Sequence, residues 1–293
     1  MALFSRRQLI SAGLSIPAAM AMTRSSTGKP NSRRLADVGW VWEGQAFRPP
    51  GVYPSIFGAG EGAEYFGLSR VVFLFHPNTE LAMEKLSGMK EVVCDISKWK
   101  YKKSDDGWVS YAVDADPENV IAEAEHVSRL AQRFPNIVGG YHDDMRGLAK
   151  RENYKADQYA RIYRALKSHK KDLRLWVVVY SHELPEVDFW REFSPFIDVV
   201  SLWVWEAKNL RNLDQYLADC RKLFPDKPIN IGCYLRDYPN KAPVSMDLLK
   251  FQWDWVLRNV ASGAVDGYEI LGAFLIDGQQ EQARWVRDFI AAN

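Results

Sequence analysis

Residues 116–143 read DPENVIAEAEHVSRLAQRFPNIVGGYHD and hold one complete helix followed by one strand. Asp116 and Pro117 predict a helix start, because a carboxylate caps free backbone N–H groups and proline suits the first helical position. Apolar residues then recur at helical spacing until a Phe-Pro pair predicts the end of the helix. The apolar run that begins at Ile137 is typical of a buried strand, and it closes on an acid, Asp143.

The same alternation recurs along the chain from Asp37 onward. Eight runs have the pattern of strands, at 38–43, 70–76, 91–96, 137–143, 173–182, 199–205, 229–236 and 270–277. Further segments of helical period lie at 154–170, 210–224, 246–260 and 280–292. The Gly- and Pro-rich stretch 47–66 predicts a long loop after the first strand.

Eight strand-then-helix units in about 250 residues predict an α/β fold, a single (β/α)8 barrel over residues 37–293. The alternative is a doubly wound open sheet, which would carry a Gly-rich phosphate turn after its first strand. The sequence has no such turn, and no internal repeat or shift in composition divides it. One barrel domain is therefore the better prediction.

The first residues have the order of a secretory signal. Arg6 and Arg7 precede an uncharged stretch, and Ala19-Met20-Ala21 forms an A-x-A cleavage site. Paired arginines before an apolar run resemble the twin-arginine signal, with which bacteria export folded proteins. We expect a signal peptide at 1–21, a disordered leader at 22–36, the twin-arginine export machinery as a partner, and a periplasmic or secreted protein. The alternative is an ordinary helix or a single anchor, but the apolar run is too short to span a bilayer, so no stable membrane anchor is expected.

Composition limits the partners. The 293 residues carry 38 Lys and Arg against 37 Asp and Glu, a formal net charge of +1, without a basic cluster, so nucleic acid is not an expected partner. Cys94, Cys220 and Cys233 are odd in number and lie in apolar runs, which predicts buried thiols. The 11 Trp are unusual, because a flat indole ring is a good surface for stacking on sugars.

Cofactor and metal motifs are missing from the sequence. It has no P-loop, dinucleotide fingerprint, G-x-S-x-G, H-x-H, H-E-x-x-H or C-x-x-C, so no cofactor is expected. A metal site would have to be assembled from His76, His142, Asp143 and His182 on separate strands, and no metal is predicted.

The ends of the predicted strands are rich in acids. In a barrel of this kind the catalytic residues come from the carboxyl ends of different strands. The polar residues there are Glu43, His76, Asp95, Asp143, Tyr180, His182, Glu206, Arg236 and Asp277. Glu43 and Asp95 lie at matching heights and are predicted to bind substrate hydroxyls or to serve as the acid, whereas Asp277 could simply cap the last helix. This set suits a neutral, polyhydroxylated ligand better than a phosphate ester.

The fourth strand ends in the sharpest motif, Gly139-Gly140-Tyr141-His142-Asp143-Asp144. Adjacent strand residues point to opposite faces, so one of Asp143 and Asp144 is predicted to face the barrel mouth as a catalytic acid while the other braces it. Tyr141 and His142 beside them are predicted to bind substrate, and the two glycines to admit a close backbone or ligand. The alternative is that both acids are solvated loop residues or helix caps.

The sixth strand ends in Trp203-Val204-Trp205-Glu206. Alternation predicts that Trp203 and Trp205 face the barrel interior, with Glu206 on the lip as a catalytic acid. An indole beside a carboxylate is what a sugar subsite needs, because the ring packs on the apolar face of a pyranose. The alternative is a core Trp and a surface Glu paired with Lys208.

The fifth and seventh strands supply further candidates. Tyr180 and His182 share one face of the fifth strand, and Tyr234 and Arg236 share one face of the seventh. These four are predicted to position the substrate. The alternatives are core tyrosines with satisfied hydroxyls and a structural pair between Arg236 and Asp237.

The chain resembles the broad superfamily of (β/α)8-barrel glycoside hydrolases, but it matches no specific family within it. The resemblance rests on the export signal, the predicted barrel, the run at 140–144 and the run at 203–206. Several of those families carry one key carboxylate at the end of strand four and its partner on strand six or seven. The resemblance implies that Asp143 or Asp144 is one member and Glu206 the other. The chain departs from one large clan, since Tyr234 and Arg236 stand where that clan has its nucleophile, and it lacks the D-x-x-D-x-D-x-E run of chitinase-like barrels.

The leading hypothesis is an exported glycoside hydrolase that acts on oligo- or polysaccharide with a pair of carboxylates. A second hypothesis is a non-catalytic carbohydrate-binding barrel, in which Trp42, Trp203 and Trp205 form a stacking platform. A third is a metal-dependent hydrolase or lyase.

Overall fold

The structure, a computed structural model, describes residues 33–43, 55–97, 99–103 and 109–293. The predicted signal peptide and most of the predicted leader lie outside the described residues, as do residues 47–54 of the predicted first loop. Leu35–Asp37 form a short 3-10 turn in which Leu35 is buried. Within the described residues, none of the helices combines the length and apolar character needed to cross a bilayer.

Eight parallel strands close into a barrel, which confirms the predicted fold. They are β1 (Gly39–Trp42), β2 (Arg70–Phe73), β3 (Glu91–Asp95), β4 (Ile137–His142), β5 (Arg174–Tyr180), β6 (Val199–Trp203), β7 (Ile229–Tyr234) and β8 (Gly267–Leu271). Each strand pairs with the next one in this series, and β8 closes the barrel on β1 through Gly39 opposite Tyr268. The carboxyl ends of all eight strands therefore meet at one mouth.

Helices surround the barrel. Those described are α1 (Ala59–Tyr65), α2 (Glu80–Lys85), α3 (Pro117–Arg133), α4 (Met145–Arg151), α5 (Ala156–Leu166), α6 (Val187–Phe193), α7 (Leu213–Leu223), α8 (Met246–Ser262) and α9 (Gln280–Ala292). The predicted cap is confirmed, because the Asp116 side chain accepts hydrogen bonds from the backbone N–H groups of Glu118 and Asn119. The predicted first loop is wrong over α1, which packs Ala59 and Ala63 into the core.

The connection from β3 to α3 contains an antiparallel hairpin that was not predicted, formed by Trp99–Lys103 and Val109–Val113. A shorter ribbon after β7 pairs Arg236–Asp237 with Ala242–Pro243. Both additions extend the loops at the mouth of the barrel.

The last strand begins three residues before the predicted start. The apolar run at 270–277 was predicted as strand, but only its first two residues belong to β8, and Ala273–Leu275 form a buried 3-10 turn. Gly267 can start the strand because it has no side chain, since a Cβ there would lie 2.4 Å from the Val38 carbonyl oxygen. The earlier start places Glu269 inside the barrel.

The barrel interior is packed with aromatic rings. Trp42 meets Trp203 edge to face with ring centroids 4.9 Å apart, and Trp40 meets Trp176 in the same way at 4.8 Å. Gly232 makes room for this packing, because a Cβ there would lie 1.9 Å from the ring of Trp203. The prediction of buried thiols is confirmed, since all three cysteines are free and buried.

Candidate active site

The acid pair Asp143 and Asp144 lies directly beyond the carboxyl end of β4. Asp144 adopts a left-handed backbone conformation with φ of 47°, which turns the chain from the strand into α4. Its backbone N–H donates to Oδ1 of Asp143 at 2.9 Å. The hydroxyl of Tyr180, the last residue of β5, donates to Oδ1 of Asp144 at 2.9 Å. The turn thus fixes one acid against the backbone and joins the other to the neighbouring strand.

The environments of the two acids differ. Burial raises the pKa of Asp143 well above its usual range, and the neighbouring charges of Asp144 and Asp95 raise it further. Burial also raises the pKa of Asp144, but the hydrogen bond from Tyr180 opposes that change. When two carboxyls interact this closely, one of them holds the proton while the other ionises. The surroundings favour a protonated Asp143 beside an ionised Asp144.

Asp95, at the end of β3, is a third acid at the mouth. It is buried, and burial raises its pKa to about 7 although Ser97 donates to its Oδ1 from both the hydroxyl, at 2.7 Å, and the backbone N–H, at 3.0 Å. The charge of Asp144 also raises the pKa of Asp95. Asp95 therefore lies at the level of the barrel mouth that was predicted for it, close enough to Asp144 for the two charges to interact.

Glu43, just beyond β1, forms a pair with His76. The two side chains approach to 2.8 Å between Oε1 and Nδ1. Burial raises the pKa of Glu43 to about 7, and the hydrogen bond to Glu43 raises the pKa of His76. Within the described residues, the buried Oε2 of Glu43 has no hydrogen-bond partner. These two residues line a cavity of about 690 Å³ together with residues of α1 and α2.

Aromatic rings form one wall of the mouth. Trp205 stacks on Tyr238, with centroids 5.3 Å apart and planes 16° apart, and it meets Tyr180 and Tyr234 edge to face. Tyr180 also stacks on His182 at 5.4 Å. Trp205 keeps 38% of its surface exposed. The structure therefore brings together the predicted residues of strands five, six and seven.

Glu206 lies on that wall rather than with the acid pair. Its side chain is 42% exposed and forms an ion pair with Lys208 at 2.7 Å, which lowers the pKa of Glu206. The alternative interpretation from the sequence, a surface Glu206 paired with Lys208, describes this contact. Because β6 ends at Trp203, Glu206 follows three residues beyond the strand. The structure therefore places Glu206 on the aromatic wall, and its role as a catalytic acid stays a prediction.

His142 is placed outside the mouth, so its prediction as a substrate-binding residue is wrong. It is fully buried on the outer side of β4, where its ring stacks on Tyr159 of α5 and its Nδ1 lies 3.2 Å from that hydroxyl. Burial lowers the pKa of His142 to about 3, so the ring is neutral. Strand alternation explains this placement, since His142 lies between two residues of the inner face.

Trp203 faces the barrel interior as predicted. Tyr141 and Trp203 were both predicted to bind substrate, but both are fully buried, so they support the site from below. The glycines before Tyr141 serve packing instead of ligand approach. A Cβ at Gly139 would lie 2.3 Å from the Arg174 carbonyl oxygen, and one at Gly140 would lie 3.0 Å from side chains of the core.

Arg236 is nearly buried in the ribbon that follows β7. Asp277 does not cap α9, whose preceding residue is Gln279. It accepts hydrogen bonds from the Ser55 hydroxyl at 2.7 Å and from the Ile56 N–H at 3.0 Å, and so holds the segment that leads to α1.

Glu269 is the residue that sequence reasoning missed. It is fully buried in the barrel below the mouth, where it accepts hydrogen bonds from Trp42 Nε1 at 2.9 Å, Tyr141 Oη at 2.7 Å, Asn230 Nδ2 at 3.3 Å and the Ser201 hydroxyl. Burial raises the pKa of Glu269, while these four donors lower it. An acid in the middle of the apolar run at 267–271 was the available signal.

In the part of the chain that the structure describes, no three potential metal ligands of the His, Cys, Asp or Glu type are grouped as a metal site would require.

Comparisons with known proteins rest on structure alone. No protein-family model and no curated protein matches the sequence. Among solved structures, a β-glucuronidase of Bacteroides uniformis superimposes with a TM-score of 0.54 at 14% identity, covering 84% of this chain and 31% of its own. The chain thus spans about a third of that enzyme.

Two further solved structures match over nearly the whole of the chain they contain. A family 18 chitinase from Crocus vernus gives a TM-score of 0.51 at 12% identity, covering 87% of this chain and 98% of its own. The C-terminal domain of ChiA from Legionella pneumophila gives 0.53 at 10% identity, covering 86% and 97%. These likenesses show that the chain has the barrel fold found in these glycoside hydrolases.

Proposed function

We propose that this protein is a glycoside hydrolase and that Asp143 and Asp144 are its catalytic carboxyls. The observation that carries the proposal is the unlike environment of two adjacent acids at the carboxyl end of β4. Asp143 is the more buried of the two, and burial raises its pKa well above the usual range although it accepts a hydrogen bond from the Asp144 N–H. Asp144 is exposed at the mouth, and the hydrogen bond from Tyr180 opposes the rise of its pKa. A pair of carboxyls whose pKa values are pushed apart supplies one acid and one base at neutral pH.

The proposed chemistry assigns one role to each acid. Asp143 donates its proton to the glycosidic oxygen as the bond from that oxygen to the anomeric carbon breaks. The ionised Asp144 stabilises the positive charge that develops on the sugar ring. Water adds to the anomeric carbon, and the proton that it releases restores Asp143.

The surroundings of the pair support carbohydrate as the substrate class. The exposed indole of Trp205 provides a surface for the apolar face of a pyranose, and His182 and Glu206 beside it provide hydrogen-bonding groups. The fold is shared with a β-glucuronidase and with chitinases, whose substrates are carbohydrates. Both lines of support are independent of the acid pair.

The test is a screen of the mature protein on aryl glycosides and on plant and microbial polysaccharides, with Asp143→Asn and Asp144→Asn alongside. We expect hydrolysis of at least one class, and losses of about 10²- to 10⁴-fold in each variant. Asp188→Asn is the matched control, because that side chain is fully exposed on α6. Full activity in both variants would contradict the assignment.

Two further outcomes would replace the proposal with an alternative. Calorimetric sugar binding without any product after long incubation would favour a carbohydrate-binding barrel. Activity that is lost on chelation and restored by a divalent ion would favour a metal-dependent enzyme.

We also propose export to the periplasm or beyond through the twin-arginine machinery, which rests on Arg6 and Arg7 before the apolar run. Three free, buried thiols are compatible with folding before export. Fusing residues 1–36 to a reporter tests the proposal. The reporter should be exported, and the double change Arg6→Lys with Arg7→Lys should retain it in the cytoplasm. Equal export of both forms would contradict it.

A further inference from the structure

A cavity of about 330 Å³ lies beyond the carboxyl ends of β5 and β6, and Tyr180 connects it to Asp144. It is lined by Ser181, His182, Trp205, Glu206, Asn209 and Tyr216. We infer that this cavity binds a sugar unit of the substrate other than the one whose bond is cleaved, so that the enzyme prefers chains to single glycosides. The inference rests on the proposed function and adds the part of the substrate that the acid pair does not contact.

Tyr180 sets the position of the cavity relative to the acids. Its hydroxyl donates to Asp144 at 2.9 Å, its ring stacks on His182, and it meets Trp205 edge to face with centroids 6.1 Å apart. One aromatic ring therefore separates Asp144 from the cavity. A ligand that spans this distance must extend beyond the sugar at the acids, which a single glycoside does not.

The lining suits a neutral sugar. The exposed indole of Trp205 offers an apolar surface, and the polar groups stand at its edge. Glu206 is ionised and accepts a hydrogen bond from Asn209 Nδ2 at 3.4 Å, so its oxygens are acceptors for hydroxyl groups. Burial and the charge of Arg146 lower the pKa of His182, which favours a neutral ring that can both donate and accept.

A second cavity adjoins the first. It has a volume of about 460 Å³, shares Ser181 and Tyr216 with the first and extends along α6 and α7 to Arg191 and Lys222. A chain that enters the first cavity therefore has room for further units.

The test compares kcat/KM for a series of oligosaccharides from one to six units, prepared from the polysaccharide that the protein cleaves. We expect kcat/KM to rise about tenfold or more once the chain reaches the cavity. Trp205→Ala should lower kcat/KM about tenfold more for the longest member than for the shortest. Trp285→Ala, on the outer helix α9, is the matched control and should leave the length dependence unchanged. An equal loss at every length, or no loss, would overturn the inference.

A binding measurement keeps the inference separate from the proposed function. If no polysaccharide is cleaved, the proposed function fails, and calorimetry with cellotetraose and chitotetraose then tests the cavity alone. Binding that Trp205→Ala weakens about tenfold would support the cavity as a sugar site. Binding that Trp205→Ala leaves unchanged, or no binding to either probe, would overturn it.

Discussion

The hydroxyl of Tyr180 donates a hydrogen bond to Oδ1 of Asp144 at 2.9 Å and so joins the end of β5 to the acid that follows β4. This bond favours the ionised form of Asp144 and thereby separates the roles of two adjacent carboxyls. The same ring stacks on His182 and contacts Trp205, so one residue connects the acids to the aromatic wall.

Removing this hydrogen bond should change the pH dependence of the reaction. In Tyr180→Phe the pKa of Asp144 rises, because its ionised form loses a donor, and the acidic limb of the kcat/KM profile should move to higher pH. We expect kcat to fall about 10- to 100-fold. Tyr163→Phe is the matched control, because Tyr163 donates to Asp198 at 2.9 Å on the outside of the barrel. An unmoved acidic limb in Tyr180→Phe would show that the bond does not tune Asp144.

Glu269 should be essential for stability. Glu269→Ala leaves four buried donors without an acceptor, and we expect the free energy of unfolding to fall by about 3 to 5 kcal/mol. Glu269→Gln keeps one acceptor oxygen and should lose less. Urea denaturation measures both, with the exposed Glu192→Ala as the control. A loss of less than about 1 kcal/mol in Glu269→Ala would mean that the donors find other partners.

Asp95 should make the protein less stable as pH rises. Its pKa is about 7 in the folded state against a usual 3.8, so its protonated form contributes stability that is complete below pH 3.8 and is lost as pH rises through 7. Asp95→Asn removes this contribution and still accepts the hydrogen bonds of Ser97. Between pH 4 and pH 8 the unfolding free energy should therefore fall less in the variant than in the wild type. The two falls should differ by on the order of 2 to 4 kcal/mol. Parallel pH curves would show that Asp95 ionises normally in the fold.

Gly232 should tolerate no side chain. A Cβ there would lie 1.9 Å from the Trp203 ring in the barrel core, and we expect Gly232→Ala to cost about 3 kcal/mol or to prevent folding. Gly147→Ala in α4 is the control, because a Cβ there meets no atom within 4 Å and alanine favours a helix by about 1 kcal/mol. Thermal denaturation compares the two, and equal stability would mean that Trp203 moves aside.

The barrel was predictable because each strand is an apolar run between helical segments, and because alternation along β4, β5 and β6 decides which side chains face inward. Alternation also predicted that the side chains of Asp143 and Asp144 point in different directions. It could not show which of the two accepts the hydrogen bond from Tyr180, because that bond joins two different strands. The position of Glu206 depended on where β6 ends. The end of a strand is set by its pairing with the neighbouring strands and not by its own residues alone.

Glu269 was missed for a related reason. The apolar run at 270–277 has the composition of a strand throughout, and only packing against β1 and β7 shows that its second half turns into a 3-10 helix. Because the strand was predicted to begin at residue 270 and not at Gly267, Glu269 was left out of the predicted barrel. The four donors to Glu269 come from four different strands, so no local pattern marks them as a group.

The most direct test of the acid pair is the leaving-group dependence of hydrolysis by Asp143→Asn. A dinitrophenol leaving group departs without protonation, whereas an alkyl or sugar leaving group needs a proton donor. We predict that Asp143→Asn loses at least about 10²-fold in kcat/KM on the sugar leaving group but less than about tenfold on the dinitrophenyl glycoside. Asp144→Asn should lose activity equally on both substrates. Equal losses on both substrates for Asp143→Asn, or no loss on either, would contradict the assignment of Asp143 as the proton donor.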